Sequence, residues 1–514
     1  MRNIILLLSI SIGIISCNSK PKETVTTNST KEINKPNIII FYVDDLGYGD
    51  LGSYGAIGVQ TPNVDKLANN GIKYTDAHSS AATCTPSRYS LLTGEYAFRN
   101  DAAILPGDAP LLINPAKSTL PSMLKKAGYK TAVVGKWHLG LGDGNTDWNK
   151  EIKPGPLEIG FDYSFLLPAT GDRVPTVYIE NHKALNIDPN DPIKISYQKP
   201  FKGVPTGITN PELLRYPADK QHSEAIVNGI SRIGNQTGGT SALWKDENFP
   251  FVFSEKANQF IENNKENPFF LFFSFHDIHV PRLPNQKFQG ASSMGLRGDA
   301  IAQMDWTTGQ IIKKLEELGL DKNTLVIFTS DNGPVLNDGY EDGAVENLGD
   351  HKPTGPFRGG KYSAFEAGTR VPMITYWPGT IKKGESNALI SQIDYYASLS
   401  SLVSQKIDDN VAIDSKNVKD ALLNSDSEAR EMMLEESFTL SIRNKNYKYI
   451  APISNKNFPK WIVNKKVEGG FSEKPQLYDL SKDLGEQTNI ASKNEALVTK
   501  MQAQIDSIVT ISNK

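Results

Sequence analysis

Four stretches of the chain are largely apolar and break off abruptly into polar residues: 36–43, 130–135, 268–275 and 324–330. Apolar runs without alternation predict strands buried on both faces, as in a parallel sheet. A further strand is predicted over 371–377. Helical spacing fills the gaps, with helices over 61–71 (Leu67 inward), 118–128, 254–263 and 299–318. In the last of these, Ile301, Met304, Asp305, Thr308, Ile311, Ile312 and Leu315 keep the helical period and Gly319 stops it. Residues 143–248 are rich in Pro and Gly and carry only short elements. Such a long excursion from a core usually builds binding loops. After 387 the pattern changes to a helix over 390–403, a half-exposed alternating strand over 438–449, a short strand over 476–480 and a closing helix over 495–509. The predicted class is α/β: a large mixed, mostly parallel sheet sandwiched by helices (36–386), then a smaller C-terminal α+β subdomain (387–514).

The N-terminus has a different character. Met1-Arg2-Asn3 precedes an apolar run from Ile4 to Ile15, too short to span a bilayer, which ends Ile14-Ile15-Ser16-Cys17. This reads as an export signal (1–17) and resembles a bacterial lipobox with Cys17 as the lipidated residue. Residues 18–35 are polar and read as a tether. The expected location is therefore the periplasm or outer membrane, with membrane attachment through the lipid alone. A net charge of −3 gives no support for nucleic-acid binding. The chain has 2 cysteines, and the leader takes one. Cys84 is thus left without an intramolecular partner, and a lone cysteine in an exported chain points to reactivity.

Cys84 stands before what reads as a helix start: Thr85 as cap, Pro86 at the first helical position, Gly94 as the stop. An anion is favoured at such an end, and Arg88 adds a fixed positive charge. A buried inert cysteine is the alternative, and position decides between them. Asp44-Asp45, Lys136 with His138, His276 with His279, and Asp331-Asn332 all come directly after predicted buried strands. That is the edge of an open α/β sheet where ligands bind. Asp44, Asp45, Asp331 and Asn332 offer hard oxygen ligands, which suit Ca²⁺ or Mg²⁺ rather than zinc. With Arg88, Lys136 and Lys361 they describe a pocket for sulfate or phosphate, and histidines there can move protons near neutral pH.

Cys84-Thr85-Pro86-Ser87-Arg88, continuing to Leu91, Thr93 and Gly94, resembles the signature of the formylglycine-dependent (type I) sulfatases. The blocks 44–50, 135–140, 330–333 and 360–372 resemble other blocks of that family in its order. Residues 477–480 with Asp483 and Glu486 resemble its C-terminal subdomain. The resemblance implies an alkaline-phosphatase-like fold. It implies Cys84 converted to formylglycine by a maturing enzyme, and Ca²⁺ held by Asp44, Asp45, Asp331, Asn332 and the modified Cys84. It implies Arg88, Lys136 and Lys361 on the sulfate, His138 as a base and His279, in His279-Val280-Pro281, as the acid to the leaving oxygen. His276 is expected to be packed or supporting, and His182 and His222 to lie on the surface. Arg173, His351 and Arg358 are expected to touch sugar. The implied substrates are oligosaccharides from sulfated polysaccharides: algal glycans such as ulvan or carrageenan, or galactose and N-acetylgalactosamine sulfates. A phosphate or phosphonate ester hydrolase of the same superfamily and a non-catalytic glycan-binding lipoprotein are the rival readings.

Overall fold

A computed structural model describes residues 35–511 except 455–456, 458–460, 463–464 and 466. The export signal, Cys17 and residues 18–34 of the tether lie outside the described residues. Among the described residues no helix is long and apolar enough to cross a membrane.

The strands that organise the body are β1 (Asn37–Val43), β2 (Ile72–Tyr74), β3 (Lys130–Lys136), β4 (Tyr163–Leu167), β5 (Phe269–Ser274), β6 (Thr324–Ser330) and β7 (Met373–Tyr376). They belong to one sheet in the order β2-β7-β6-β1-β5-β3-β4. The strands from β6 to β4 run parallel, while β7 is antiparallel to β6 and β2 to β7. The near-continuous apolar runs have a direct cause. Ile38, Ile40 and Tyr42 face one core with Phe270, Phe272, Leu325 and Ile327. Ile39, Phe41 and Val43 face another with Leu271, Phe273, Val326 and Phe328. Both sets are almost fully buried, and each such side chain contributes roughly 1.5–3 kcal/mol.

Helix α1 (Cys84–Thr93) covers the first face; α2 (Phe249–Asn263) and α3 (Gly295–Glu317) cover the second. Helices α2 and α3 both begin earlier than the apolar spacing predicts. Pro250 suits the first turn of α2. The first turns of α3 bury Arg297 and Asp299, which hide its periodicity.

The C-terminal strands β8 (Met432–Glu436), β9 (Leu440–Asn444), β10 (Tyr447–Ile450) and β11 (Gln476–Asp479) form a separate antiparallel sheet. Helix α4 (Glu495–Thr510) packs on it through Met501 and Ile505. The single strand predicted over 438–449 is a hairpin instead. Asn444 Oδ1 accepts from the amides of Asn446 (3.0 Å) and Tyr447 (2.9 Å), folding a turn into the alternating pattern. The helix predicted over 390–403 shortens to Tyr395–Leu402, because Ile390–Ser391 pairs with Ala77–His78 as short strands. Ile390, Tyr395, Leu399, Val418 and Leu422 join the core of the main sheet. The separate C-terminal sheet therefore begins only at Met432, later than the predicted boundary at 387.

Candidate active site

Parallel strands deliver their exits to one edge. β1 and β6 pair with Val43 opposite Ser330, so Asp44-Asp45 and Asp331-Asn332 emerge side by side. The Asp331 amide donates to Val43 O (2.9 Å), and the Asp45 amide lies 3.4 Å from Asp331 Oδ1. Asn332 Nδ2 donates to Asp45 Oδ1 at 2.7 Å. Oxygens of Asp44, Asp45 and Asp331 lie within 4.8 Å of one another, all fully buried.

Carboxylates about 4 Å apart repel by roughly 4 kcal/mol at an effective dielectric of about 20, so cations must hold them. Arg88, on α1, donates through Nη2 to Asp331 Oδ2 (2.7 Å) and through Nη1 to Ser274 Oγ at the end of β5. Lys136, the last residue of β3, donates to Asp44 Oδ2. Lys361 donates to Asp45 Oδ2 (2.9 Å) and to Asp338 Oδ2 (3.0 Å). The compensation is uneven. Burial pushes all three carboxyls up, but Lys136 and Arg88 bring Asp44 down to about 2. Asp45 stays raised. Burial and the neighbouring Asp44 charge push Asp331 up to about 7. Asp44 Oδ1 and Asn332 Oδ1 are buried with no hydrogen-bond partner. Hard, orphaned oxygens beside crowded carboxyls fit a divalent cation such as Ca²⁺.

Cys84 is the first residue of α1, so the helix begins before the predicted cap at Thr85, with Thr83 as N-cap and Pro86 inside the first turn. The physical reason is tertiary: Thr85 Oγ1 donates instead to His138 O (3.0 Å), tying the helix to the loop after β3. Burial raises the Cys84 thiol, more than Lys136 and Lys361 lower it. An unmodified thiol there is protonated and a poor nucleophile.

Of the histidines, His279 Nδ1–H donates to Val280 O (2.7 Å), and its Nε2 stands 3.9 Å from Asp45 Oδ2. Burial and then Lys361 and Lys136 hold it well below the usual range. His138 Nε2–H donates to Leu105 O (2.9 Å), leaving Nδ1 buried and without a partner. His276 lies 4.0 Å from Asp44 Oδ2 with neither ring nitrogen hydrogen-bonded; burial lowers it to about 4.

A cavity of about 310 Å³ opens over this edge, lined among others by Cys84, Arg173, His279 and Lys361. Arg173, expected from the sequence to touch sugar, lines this cavity. His351 and Arg358 do not line it. His351 is buried against Asp50 (2.8 Å), which also pairs with Arg297. Arg358 is bound to Glu468 (2.9 Å) and stacks over Phe365. His222, expected on the surface, is buried in the cavity wall between Asp219 (2.7 Å) and Asp172 (3.4 Å). His182 is half-buried beside Glu158 and lies elsewhere. Residues that sequence reasoning misses also line the cavity: Asp172, Asp338, Tyr362, Trp461 and Lys465. Asp172 gives a signal as the neighbour of Arg173 in a turn-rich stretch, and Tyr362 as the neighbour of Lys361.

Known proteins resemble this chain. The sulfatase family model matches residues 36–405. An N-acetylgalactosamine-6-O-sulfatase of Bacteroides thetaiotaomicron is 46% identical over 99% of this chain and 100% of its own. Human steryl-sulfatase is 30% identical over 75% of this chain and 69% of its own. A solved structure, from work on the metabolism of multiple glycosaminoglycans by Bacteroides thetaiotaomicron, superimposes with a TM-score of 0.90 at 47% identity, covering 94% of this chain and 100% of that one. The chain belongs to the sulfatase family, and its reaction is the hydrolysis of sulfate esters.

Proposed function

We propose that the enzyme removes the 6-O-sulfate from N-acetylgalactosamine or galactose residues of sulfated oligosaccharides, with Cys84 converted to formylglycine and Ca²⁺ as its metal. The observation that carries this is the placement of Cys84. It is a buried, protonated thiol at the floor of the cavity, beside acidic oxygens and three cations. The substrate class rests on the 46% identity to the Bacteroides 6-O-sulfatase across both whole chains. A solved structure in complex with a neocarrahexaose, at 23% identity, shares only the fold.

Asp44, Asp45, Asp331 and Asn332 would hold the metal, which would supply positive charge to the sulfate and to residue 84. Converted to an aldehyde hydrate, residue 84 would supply the oxygen nucleophile for sulfur. The chain's own residues do the rest. Arg88, Lys136 and Lys361, all buried, offset the charge on the sulfate oxygens. Their charges are matched by Asp44, Asp45 and Asp331, so a divalent cation and a sulfate enter as a balancing pair. His279 presents Nε2 toward the leaving oxygen, its Nδ1–H fixed by Val280 O. The lowered basicity of its neutral form makes its protonated form a strong acid. His138 offers Nδ1 as the base, its tautomer set by Leu105 O. Arg173, held by Asp172 at 2.7 Å, faces the sugar from the cavity wall.

An exported protein lipidated at Cys17 would hold this site at the cell envelope, where large glycans arrive. The leader at 1–17 supports that reading, and a maturing enzyme acting on Cys84 is the implied partner.

Mass spectrometry of the Cys84 peptide, from protein made with a sulfatase-maturing enzyme, is expected to find an aldehyde in place of the thiol. An active enzyme with an intact thiol would sink the proposal. The same preparation should hydrolyse a 6-sulfated N-acetylgalactosamine far faster than the matched phosphate ester; faster phosphate release would favour the phosphatase reading.

A further inference from the structure

Sheet order leaves a gap in the strand-exit site. β5 and β6 are separated by β1, so no ladder hydrogen bond joins the loops that follow them. One loop carries His279. The other carries Asp338, which holds Lys361 at 3.0 Å and accepts from the Tyr362 hydroxyl (3.0 Å). Arg88 ties the two exits at the sheet edge, through Ser274 and Asp331. Farther out, at His279 and Asp338, a second tie is needed.

Arg282 supplies it. The side chain is fully buried and does not line the catalytic cavity. Nε donates to Ile278 O (2.8 Å), the residue before His279. Nη2 donates to Val335 O (2.8 Å), and Nη1 to Leu336 O (3.0 Å) and Asp342 Oδ2 (2.7 Å). The guanidinium therefore grips the second loop on both sides of Asp338, and its own loop beside His279. Asp342 is itself fixed, its Oδ1 accepting from the Ala344 amide (3.1 Å). A planar fork of five N–H donors meets such acceptors in set directions, whereas a lysine ammonium has three donors on a flexible stem. Apolar residues of similar volume often stabilise a core as much as a buried ion pair does. What the buried guanidinium adds is a defined spacing between the segments it joins.

We infer that Arg282 is a positioning residue of the reaction: it sets His279 and, through Asp338, Lys361 at a fixed separation across the exit of β1. Both act on one sulfate ester, His279 on the leaving oxygen and Lys361 on the sulfate oxygens, so an error in their spacing falls on the transition state. This rests on the roles proposed above for those two residues and adds what holds them in register.

The test measures kcat and KM per folded molecule on the monosaccharide N-acetylgalactosamine 6-sulfate, with circular dichroism reporting the folded fraction. Arg282→Lys should lower kcat on the order of 10²-fold, as a misplacement of about 1 Å does, with a smaller change in KM. Asp342→Asn, which leaves the three carbonyl acceptors in place, should lower kcat by about tenfold; either variant, folded, decides the matter. A double-mutant cycle separates positioning from general destabilisation. In a His279→Ala background, Arg282→Lys should cost less than about tenfold, because most of its effect passes through the side chain already removed. A kcat within about twofold of the unaltered enzyme in a folded variant, or a loss as large without His279 as with it, overturns the inference. If His279→Ala alone keeps full kcat, the proposed acid is wrong and the inference fails with it; if His279→Ala is impaired and Arg282→Lys is not, the inference alone fails. Should the unaltered enzyme leave this sugar intact, the substrate reading falls, and the same variants are compared on the sulfate ester it does hydrolyse.

Discussion

The molecule contains two deeply buried charge clusters that look alike in composition. One is the strand-exit site with Asp44, Asp45, Asp331, Arg88, Lys136 and Lys361. The other lies where the main and C-terminal sheets meet, with Asp76, His78, Glu366, Glu435, Arg443 and Lys448. Each brings metal-ligating atoms within 4.8 Å of one another. Their electrostatics differ. In the second cluster His78 bridges Asp76 (3.0 Å) and Glu435 (2.9 Å), and Lys448 bridges Glu435 (2.8 Å) and Glu366 (3.2 Å). Against the upward push of burial, Arg443 and Arg370 hold Asp76 well below the usual range. Lys448 does the same for Glu435, and Arg443 lowers Glu366. In the strand-exit site Asp45 and Asp331 remain raised, and two acceptor oxygens are orphaned. In the second cluster Asp76, Glu366 and Glu435 are each ion-paired and lowered, as in a structural network; in the strand-exit site raised carboxyls and orphaned acceptor oxygens lie beside a cavity, which suits an arriving cation.

Activity should separate the two most strongly. Asp331→Asn should lower kcat/KM by on the order of 10³ while circular dichroism reports an unchanged fold; near-normal turnover would remove Asp331 from the site. Arg443→Met should do the reverse. It leaves buried carboxylates unpaired, which costs about 3–5 kcal/mol. Urea unfolding should register that loss, with kcat per folded molecule unaltered. A turnover defect without lost stability would instead assign the second cluster to catalysis.

The pH dependence of Asp331 should differ in sign from that of the lowered carboxyls in the second cluster. The raised Asp331, moved from 3.8 to about 7, contributes stability to metal-free protein that is present below about pH 3.8 and lost as pH rises through about 7. Asp76, Glu366 and Glu435 are lowered, so their contribution is present above about pH 4 and lost on acidification. Calcium competes with the Asp331 proton. At a hundredfold excess over its Kd it should add about 2.7 kcal/mol, and its effect on Tm should be larger at pH 8 than at pH 5.5. A calcium shift independent of pH would mean the ion binds elsewhere. Arg358→Gln should do least: kcat/KM on the monosaccharide should change by less than about twofold, because Glu468 and Phe365 occupy that guanidinium. A tenfold loss would return it to the sugar site.

Much of the strand-exit site is legible in the chain because a buried parallel strand leaves a mark. Its apolar run must stop where the sheet ends, and the next residues fall at the ligand-binding edge. Asp44, Lys136, His279 and Asp331 stand out for that reason. Residues on loops leave no such mark. His351 and Arg358 lie close to Lys361 in sequence, yet Asp50 and Glu468 draw them away. His222, expected on the surface, is buried against Asp172. The polar start of α3 and the Asn444 turn escape the sequence pattern for a similar cause. Side chains that serve distant or local hydrogen bonds interrupt the apolar periods by which elements are read.

Local pattern is enough to fix the α/β class, the order of the central strands' chemistry and the position of the proposed nucleophile. All three depend on short-range features: apolar runs, their abrupt ends and the motif around Cys84. Packing in three dimensions settles which partner each charge meets and what lines the way in. Lys361 reaches Asp45, and Lys465 from the β10–β11 connection reaches Asp338. Pairings between residues so far apart are set by how layers and loops stack, and charge alone does not name its partner. The part of the cavity wall formed by Trp461 and Lys465, in the β10–β11 connection, exists only once the C-terminal sheet is in place.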